Sequence, residues 1–135
     1  MKVCYAQLED ARLFAEESLN ISFPRGTTTW IASRFDDGRL AGVAVFTQPN
    51  RGNASLHIAA NSSKWFTPVF CRQMFEHAFH GLELSRLTAT VEASNVACVR
   101  LAIKTGFKLE GRMKGFTFGE LLVFGMLRGD CKWVL

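Results

Sequence analysis

The sequence predicts an α+β domain, and three observations carry that expectation. Apolar alternation with period two and apolar spacing of a helical period follow one another along the chain in the order β, α, three strands, α, β, α, β, β. Asp37-Gly38 sits between two strand-like runs, a hairpin signal because Gly accepts a positive φ. Hydrophobic residues make up 48% of the 135, twelve of them Phe, which is enough for one packed core over residues 1–135.

The elements follow in order. Lys2 to Gln7 reads as a short strand and Leu8 to Leu19 as a helix, with Leu8, Ala11, Leu13, Phe14, Ala15 and Leu19 apolar and Glu16 and Glu17 outward. Asn20 to Thr29 carries Pro24 and Gly26 and reads as a loop. Trp30 to Phe35 and Leu40 to Thr47 form the hairpin, with Gly42 a candidate bulge; Gln48 to Asn53 is a turn and Ala54 to Ala60 the next strand. Asn61 to Phe66 is a loop. Thr67 and Pro68 then suit the N-cap and first residue of a helix that ends at Gly81, with Phe70, Cys71, Met74, Phe75, Ala78, Phe79 and Leu82 as its apolar stripe.

The stretch Arg86 to Gly111 is the most informative. Leu87 to Val91 alternates as a strand. Ser94 and Asn95 sit where a helix starts, Val96, Val99, Ala102 and Ile103 recur at helical spacing, and Gly106 supplies a left-handed stop. Phe107 to Glu110 resumes as a strand. The turn before the helix offers free backbone N–H groups, a geometry that suits an anion. Met113 to Glu120 reads as a loop before a last apolar strand, Leu121 to Leu127, whose exposed edge would pair two copies into a homodimer.

Composition excludes several classes. The N-terminus lacks the apolar region of a signal peptide, and no apolar run reaches transmembrane length. Cys4, Cys71, Cys98 and Cys131 have neither metal-ligand nor disulfide-framework spacing, so free thiols in a reducing cytoplasm are expected. His77 and His80 lie three apart with no third ligand, so no metal site is expected. The net charge of +4 and pI of 9.1 suit a polyanionic ligand. Lys104, Lys108, Arg112 and Lys114 do not interleave with aromatics as a nucleic-acid module would.

Glu92, Asn95, Lys104, Gly106, Phe107, Glu110, Gly111 and Arg112 together resemble the C-terminal half of the GNAT acyl-CoA-dependent N-acetyltransferases, nearest the branch that acetylates protein N-termini and small amines. The resemblance implies a three-layer fold, a mixed central sheet flanked by helices, with acetyl-CoA as co-substrate and an amine as acceptor. It also implies roles for particular residues. Ile58, Ala60, Asn61, Lys64, Trp65, Phe66 and Thr67 would border the pyrophosphate loop; Asn95 and Cys98 would lie along the pantetheine arm; Arg100 and Lys104, four apart on one helix face, would approach the nucleotide phosphate. Phe23, Arg25 and Trp30 would meet the acceptor. His57, beside the reaction centre, and Glu92, at the end of the next strand, are the candidate bases.

The chain departs from that pattern at the phosphate loop. The family's Gln or Arg and its three small residues fall here at Asn61, Lys64, Phe66 and Pro68. Two readings follow: an enzyme whose loop holds phosphate by side chains and the helix dipole, or a GNAT-fold binding module that no longer catalyses. The altered loop and short length loosely resemble small bacteriophage-encoded GNAT-like proteins. Ala102 stands where the family often carries a Tyr acid, and many members of the N-terminal-acetylating branch lack that Tyr.

Overall fold

The structure, a computed structural model, describes residues 1–5, 9–24, 26–61 and 64–134, without the side chains of 48–50. Among the described residues seven strands form one mixed sheet in the order β1-β2-β3-β4-β5-β7-β6. They are β1 (Lys2–Cys4), β2 (Thr28–Arg34), β3 (Leu40–Asn50), β4 (Asn53–Ala60), β5 (Arg86–Glu92), β6 (Lys108–Phe116) and β7 (Gly119–Leu127). Every pairing is antiparallel except β4 with β5. That parallel pair needs a crossover, and α2 (Pro68–Glu76) supplies it. The other helices are α1 (Glu9–Leu19) and α3 (Val96–Thr105).

The helix on one face, α2, packs Phe70, Cys71, Met74 and Phe75 into a core with Ile31, Phe46, Leu87 and Phe124. Burying each such Phe stabilises the fold by about 1.5–3 kcal/mol. Thr67 caps α2 by accepting the Phe70 N–H at 3.1 Å, and Pro68 follows at the first position, as expected. The helix continues through a wide π turn, His77–Gly81, before the chain leaves it. On the other face α1 packs over β3 and β4 through Ala11 and Ala15. Their small side chains let the helix approach Ala32, Val43 and Val45 closely.

Several expectations need correcting. Leu13 of α1 is 54% exposed, because the helix turns its alanines inward instead. The extra residue in β3 is Ala41, since Ser33 pairs with Gly42 and Arg34 with Leu40. The second hairpin turns at Arg51-Gly52, with Gly52 at φ +79°, and β3 runs on to Asn50. Met113 to Glu120 is not a loop: β6 extends to Phe116 and β7 begins at Gly119. Finally, β7 lies between β5 and β6, so both its edges are already bonded. It cannot pair with a second copy. Residues 6–8, where β1 and α1 were expected to meet, lie outside the described residues.

Candidate active site

The parallel pairing of β4 with β5 stops at Ser55↔Thr88, although both strands continue. Beyond that point they separate and a cleft of about 420 Å³ opens between them. Leu56, His57 and Ile58 form one wall and Ala89 to Glu92 the other. Asn95, Cys98, Leu101, Ala102 and Thr105 of the α3 segment border it, Phe66 and Met74 come from the α2 side, and Ser18, Leu19 and Ile21 close the end by α1. The cleft therefore connects the two faces of the sheet through a gap in the sheet itself.

His57 is half-buried, with its ring 5.2 Å from that of Phe23. It makes no side-chain hydrogen bond among the described residues, and burial holds its pKa below the ordinary histidine range. The imidazole is thus neutral near pH 7 and able to accept a proton. Glu92 ends β5 at the opposite wall, exposed. Asn95 caps α3, its side-chain oxygen accepting the Cys98 N–H at 3.2 Å, and Gly106 ends the helix at φ +110°. The Asn95 amide nitrogen keeps its donors free among the described residues. Burial raises the Cys98 thiol, so it is a neutral packing group in the cleft and not a thiolate nucleophile.

The approach to the cleft from α2 is aromatic. Trp65 is 5% exposed and packs against Phe66 and Phe70, with ring centroids 5.0 and 5.1 Å away. The first turn of α2 has few donors to spare: Pro68 has none, the Phe70 N–H goes to Thr67 Oγ1, and the Cys71 N–H goes to Thr67 O at 2.9 Å, which leaves the Val69 N–H. A smaller groove of about 140 Å³ runs between α2 and α3, bordered by Phe66, Thr67, Lys104 and Trp133.

Of the residues singled out by sequence, the cleft gathers His57, Ile58, Phe66, Glu92, Asn95 and Cys98, and the smaller groove gathers Phe66, Thr67 and Lys104. The others among the described residues line neither cavity. Ala60, Lys64 and Arg100 are exposed outside them. Asn61 is tied back to β3, its side chain donating to Leu40 O at 3.3 Å. Trp65 is core. Trp30 and Phe23 meet edge to face at 5.4 Å beneath α1, so Trp30 packs, while Phe23 reaches the site only through its contact with His57. Arg25 lies outside the described residues.

Sequence reasoning missed Ser18, Leu19, Ile21, Met74, Thr90, Leu101, Thr105 and Leu121. It also misjudged the rotation of α3. Val96 and Ile103 are 52% and 60% exposed, and the inner face carries Cys98, Leu101, Ala102 and Thr105. Their spacing of three, one and three is itself helical, so a search for a second helical stripe beside the cap would have found them.

A mixed sheet that splays between two parallel strands, with a capped helix at the opening, defines the acyl-CoA N-acyltransferase class of fold. Residues 4–108 match the acetyltransferase (GNAT) domain family, so the chain belongs to that family. No curated protein sequence matches the chain. Among solved structures it is similar to a chimera of the spermidine N-acetyltransferase from Vibrio cholerae, at 17% identity and TM-score 0.68, over 78% of this chain and 70% of that one. A GNAT-family acetyltransferase from Streptococcus pneumoniae is similar at 19% identity and TM-score 0.66, over 93% of this chain and 98% of that one. Among the described residues no helix is long and apolar enough to cross a membrane, and no group of three or more His, Cys, Asp or Glu could hold a metal ion.

Proposed function

We propose that this protein is an N-acetyltransferase that moves an acetyl group from acetyl-CoA to a primary amine by direct attack. The observation that carries the reading is the separation of β4 and β5 beyond Ser55↔Thr88, which leaves strand backbone facing a mostly apolar cleft. A thioester arm lying there would find backbone partners for its amides and carbonyl where a neighbouring strand would otherwise be. The amine nitrogen attacks the thioester carbon, the C–S bond breaks, and coenzyme A leaves as a thiolate that takes up a proton. His57, neutral and half-buried, suits the base that removes the proton from the attacking amine. Glu92 at the opposite wall is the alternative base and would also attract a cationic amine.

The residues fit the thioester arm better than they fit the diphosphate. The first turn of α2 keeps only the Val69 N–H for an anion, so phosphate would be met mainly by side chains, with Lys104 beside the smaller groove the first candidate and Arg100 one turn earlier. The spermidine N-acetyltransferase likeness supports an amine acceptor and leaves open which one. The four free thiols support a reducing, cytoplasmic setting.

Calorimetric titration with acetyl-CoA, followed by thiol-release assays across polyamines, amino acids and peptides, tests the reading. Saturable binding with turnover of an amine is expected. Failure to bind acetyl-CoA or any acyl-CoA would favour the second reading, a GNAT-fold binding module, for which the donor-poor start of α2 and the buried Trp65 speak.

A further inference from the structure

Glu16 lies one turn before the end of α1, and its side chain is only 18% exposed. Its two carboxylate oxygens serve different partners. Oε1 accepts from the Arg12 guanidinium on the same helix. Oε2 accepts the backbone N–H of Phe23 at 2.8 Å, seven residues on and outside the helix. The main-chain oxygen of Glu16 also accepts the Ile21 N–H at 3.2 Å. Between these bonds the chain reverses at Asn20, whose φ of +53° is a left-handed conformation that Asn tolerates.

One of the two residues so held lines the cleft, and the other packs on a cleft residue. Ile21 is part of the cleft wall. Phe23, 5% exposed, sets its ring against the His57 imidazole and the Trp30 indole. One carboxylate on α1 therefore governs what covers His57, without touching the cleft itself.

We propose that Glu16 is the positioning residue for the acceptor side of the cleft, its carboxylate pinning Phe23 over His57. This rests on the reading of His57 as a cleft base. The ring of Phe23 keeps water from one side of the imidazole, and the N–H bond to Glu16 keeps that ring in place. Charge and reach can be separated at this position. Glu16→Asp keeps the charge but draws the carboxylate back from Phe23. Glu16→Gln keeps an oxygen at the same reach but drops the charge. Arg12→Ala removes the helical ion pair and leaves the Phe23 bond.

The test is NMR titration of the three histidines in each variant, with thermal unfolding as a check on folding. In Glu16→Asp and in Phe23→Ala the His57 midpoint is expected to rise toward the ordinary 6.5 as water reaches the ring. In Glu16→Gln and Arg12→Ala it should stay near the wild-type value. His80, exposed in the π turn that follows α2, serves as the internal reference. Glu92 and Cys98, the other titratable groups along the cleft, are unchanged throughout. A folded Glu16→Asp with an unmoved His57, or a Glu16→Gln shifted as far as Glu16→Asp, overturns the proposal. For any amine that the wild type turns over, Glu16→Asp should raise its KM several-fold and leave the KM for acetyl-CoA unchanged; the reverse pattern also overturns it. An inactive wild type would count against the catalytic reading alone, because the titration needs no turnover.

Discussion

The indole of Trp65 rests directly on the bare backbone of Gly42. A Cβ at Gly42 would stand 2.3 Å from Cε3 and 2.4 Å from Cδ2 of the ring, closer than any real contact. The ring thus reaches β3 only because residue 42 has no side chain, and Phe70 covers it from α2. The loop before α2 that carries small residues in the family is here anchored by its largest one, held by a glycine two strands from β5.

Gly42→Ala should therefore destabilise the fold by about 1–3 kcal/mol, the usual cost of overpacking a filled site. Urea titration of the variant reads this directly. Equal stability would mean that the indole can slide away at no cost, and that the loop is not anchored here.

Asn95 caps α3, and one substitution separates that role from the cofactor contact proposed for it. Its side-chain oxygen caps α3, so Asn95→Ala should cost about 1 kcal/mol. Asn95→Ser retains a cap but loses the amide donors beside the cleft. If those donors hold the thioester arm, Asn95→Ser should weaken acetyl-CoA binding in calorimetry while stability changes little. Unaltered binding in Asn95→Ser would restrict Asn95 to the cap.

How far this arrangement could be read from sequence depended on its range. The caps of α2 and α3 were legible because Thr67-Pro68, Asn95 and Gly106 act within a turn of their own positions. The hairpin at Asp37-Gly38 was legible for the same reason: Gly38 takes φ +90°. The rotation of α3 was not, because apolar side chains occur on both of its faces and only the cleft decides which face takes the small ones. The extent of β6 was hidden because the strand is exposed along nearly its whole length and shows no apolar alternation. Its strand character comes from backbone pairing with β7. The cleft, too, depends on where β4 and β5 stop pairing, a relation between segments some thirty residues apart. The bulk of Trp65 was legible, whereas its seat on Gly42 was not.

The C-terminal segment fastens α3 to the core through Trp133. Its Nε1–H donates to Thr105 O at 2.9 Å, and its ring stacks near Phe75, centroids 6.4 Å apart at 15°. Trp133→Phe keeps the stacking and loses the hydrogen bond, so it should cost about 1 kcal/mol. Trp133→Ala loses both and should cost about 3 kcal/mol, toward the low end for a large aromatic because the ring is half-buried. Chemical denaturation of the pair gives the difference. Two variants of equal stability would mean that the stacking on Phe75 adds nothing.

Stability should also fall as the solution is acidified from neutral, and histidine should account for the first part of the loss. Burial lowers the pKa of both His57 and His77 below the 6.5 of a free imidazole. His77 is further enclosed by Phe46 and bonded to Thr29 Oγ1 at 3.1 Å. With folded values below unfolded ones, the unfolded chain binds more protons in between, so stability rises with pH there. The contribution is fully present above about pH 6.5 and is lost as pH falls through the folded values. Asp10 and Glu110 act in the same direction lower down, since hydrogen bonds from Arg34 and Arg86 hold their carboxyls below the ordinary range. Urea midpoints measured from about pH 7.5 to about pH 5 should therefore decline, beginning near the free-imidazole pKa. His57→Gln and His77→Gln should each flatten that decline, and the double variant should flatten it most. A wild-type midpoint constant across the interval would mean that neither imidazole is held neutral by the fold, and His57 would lose its qualification as a base.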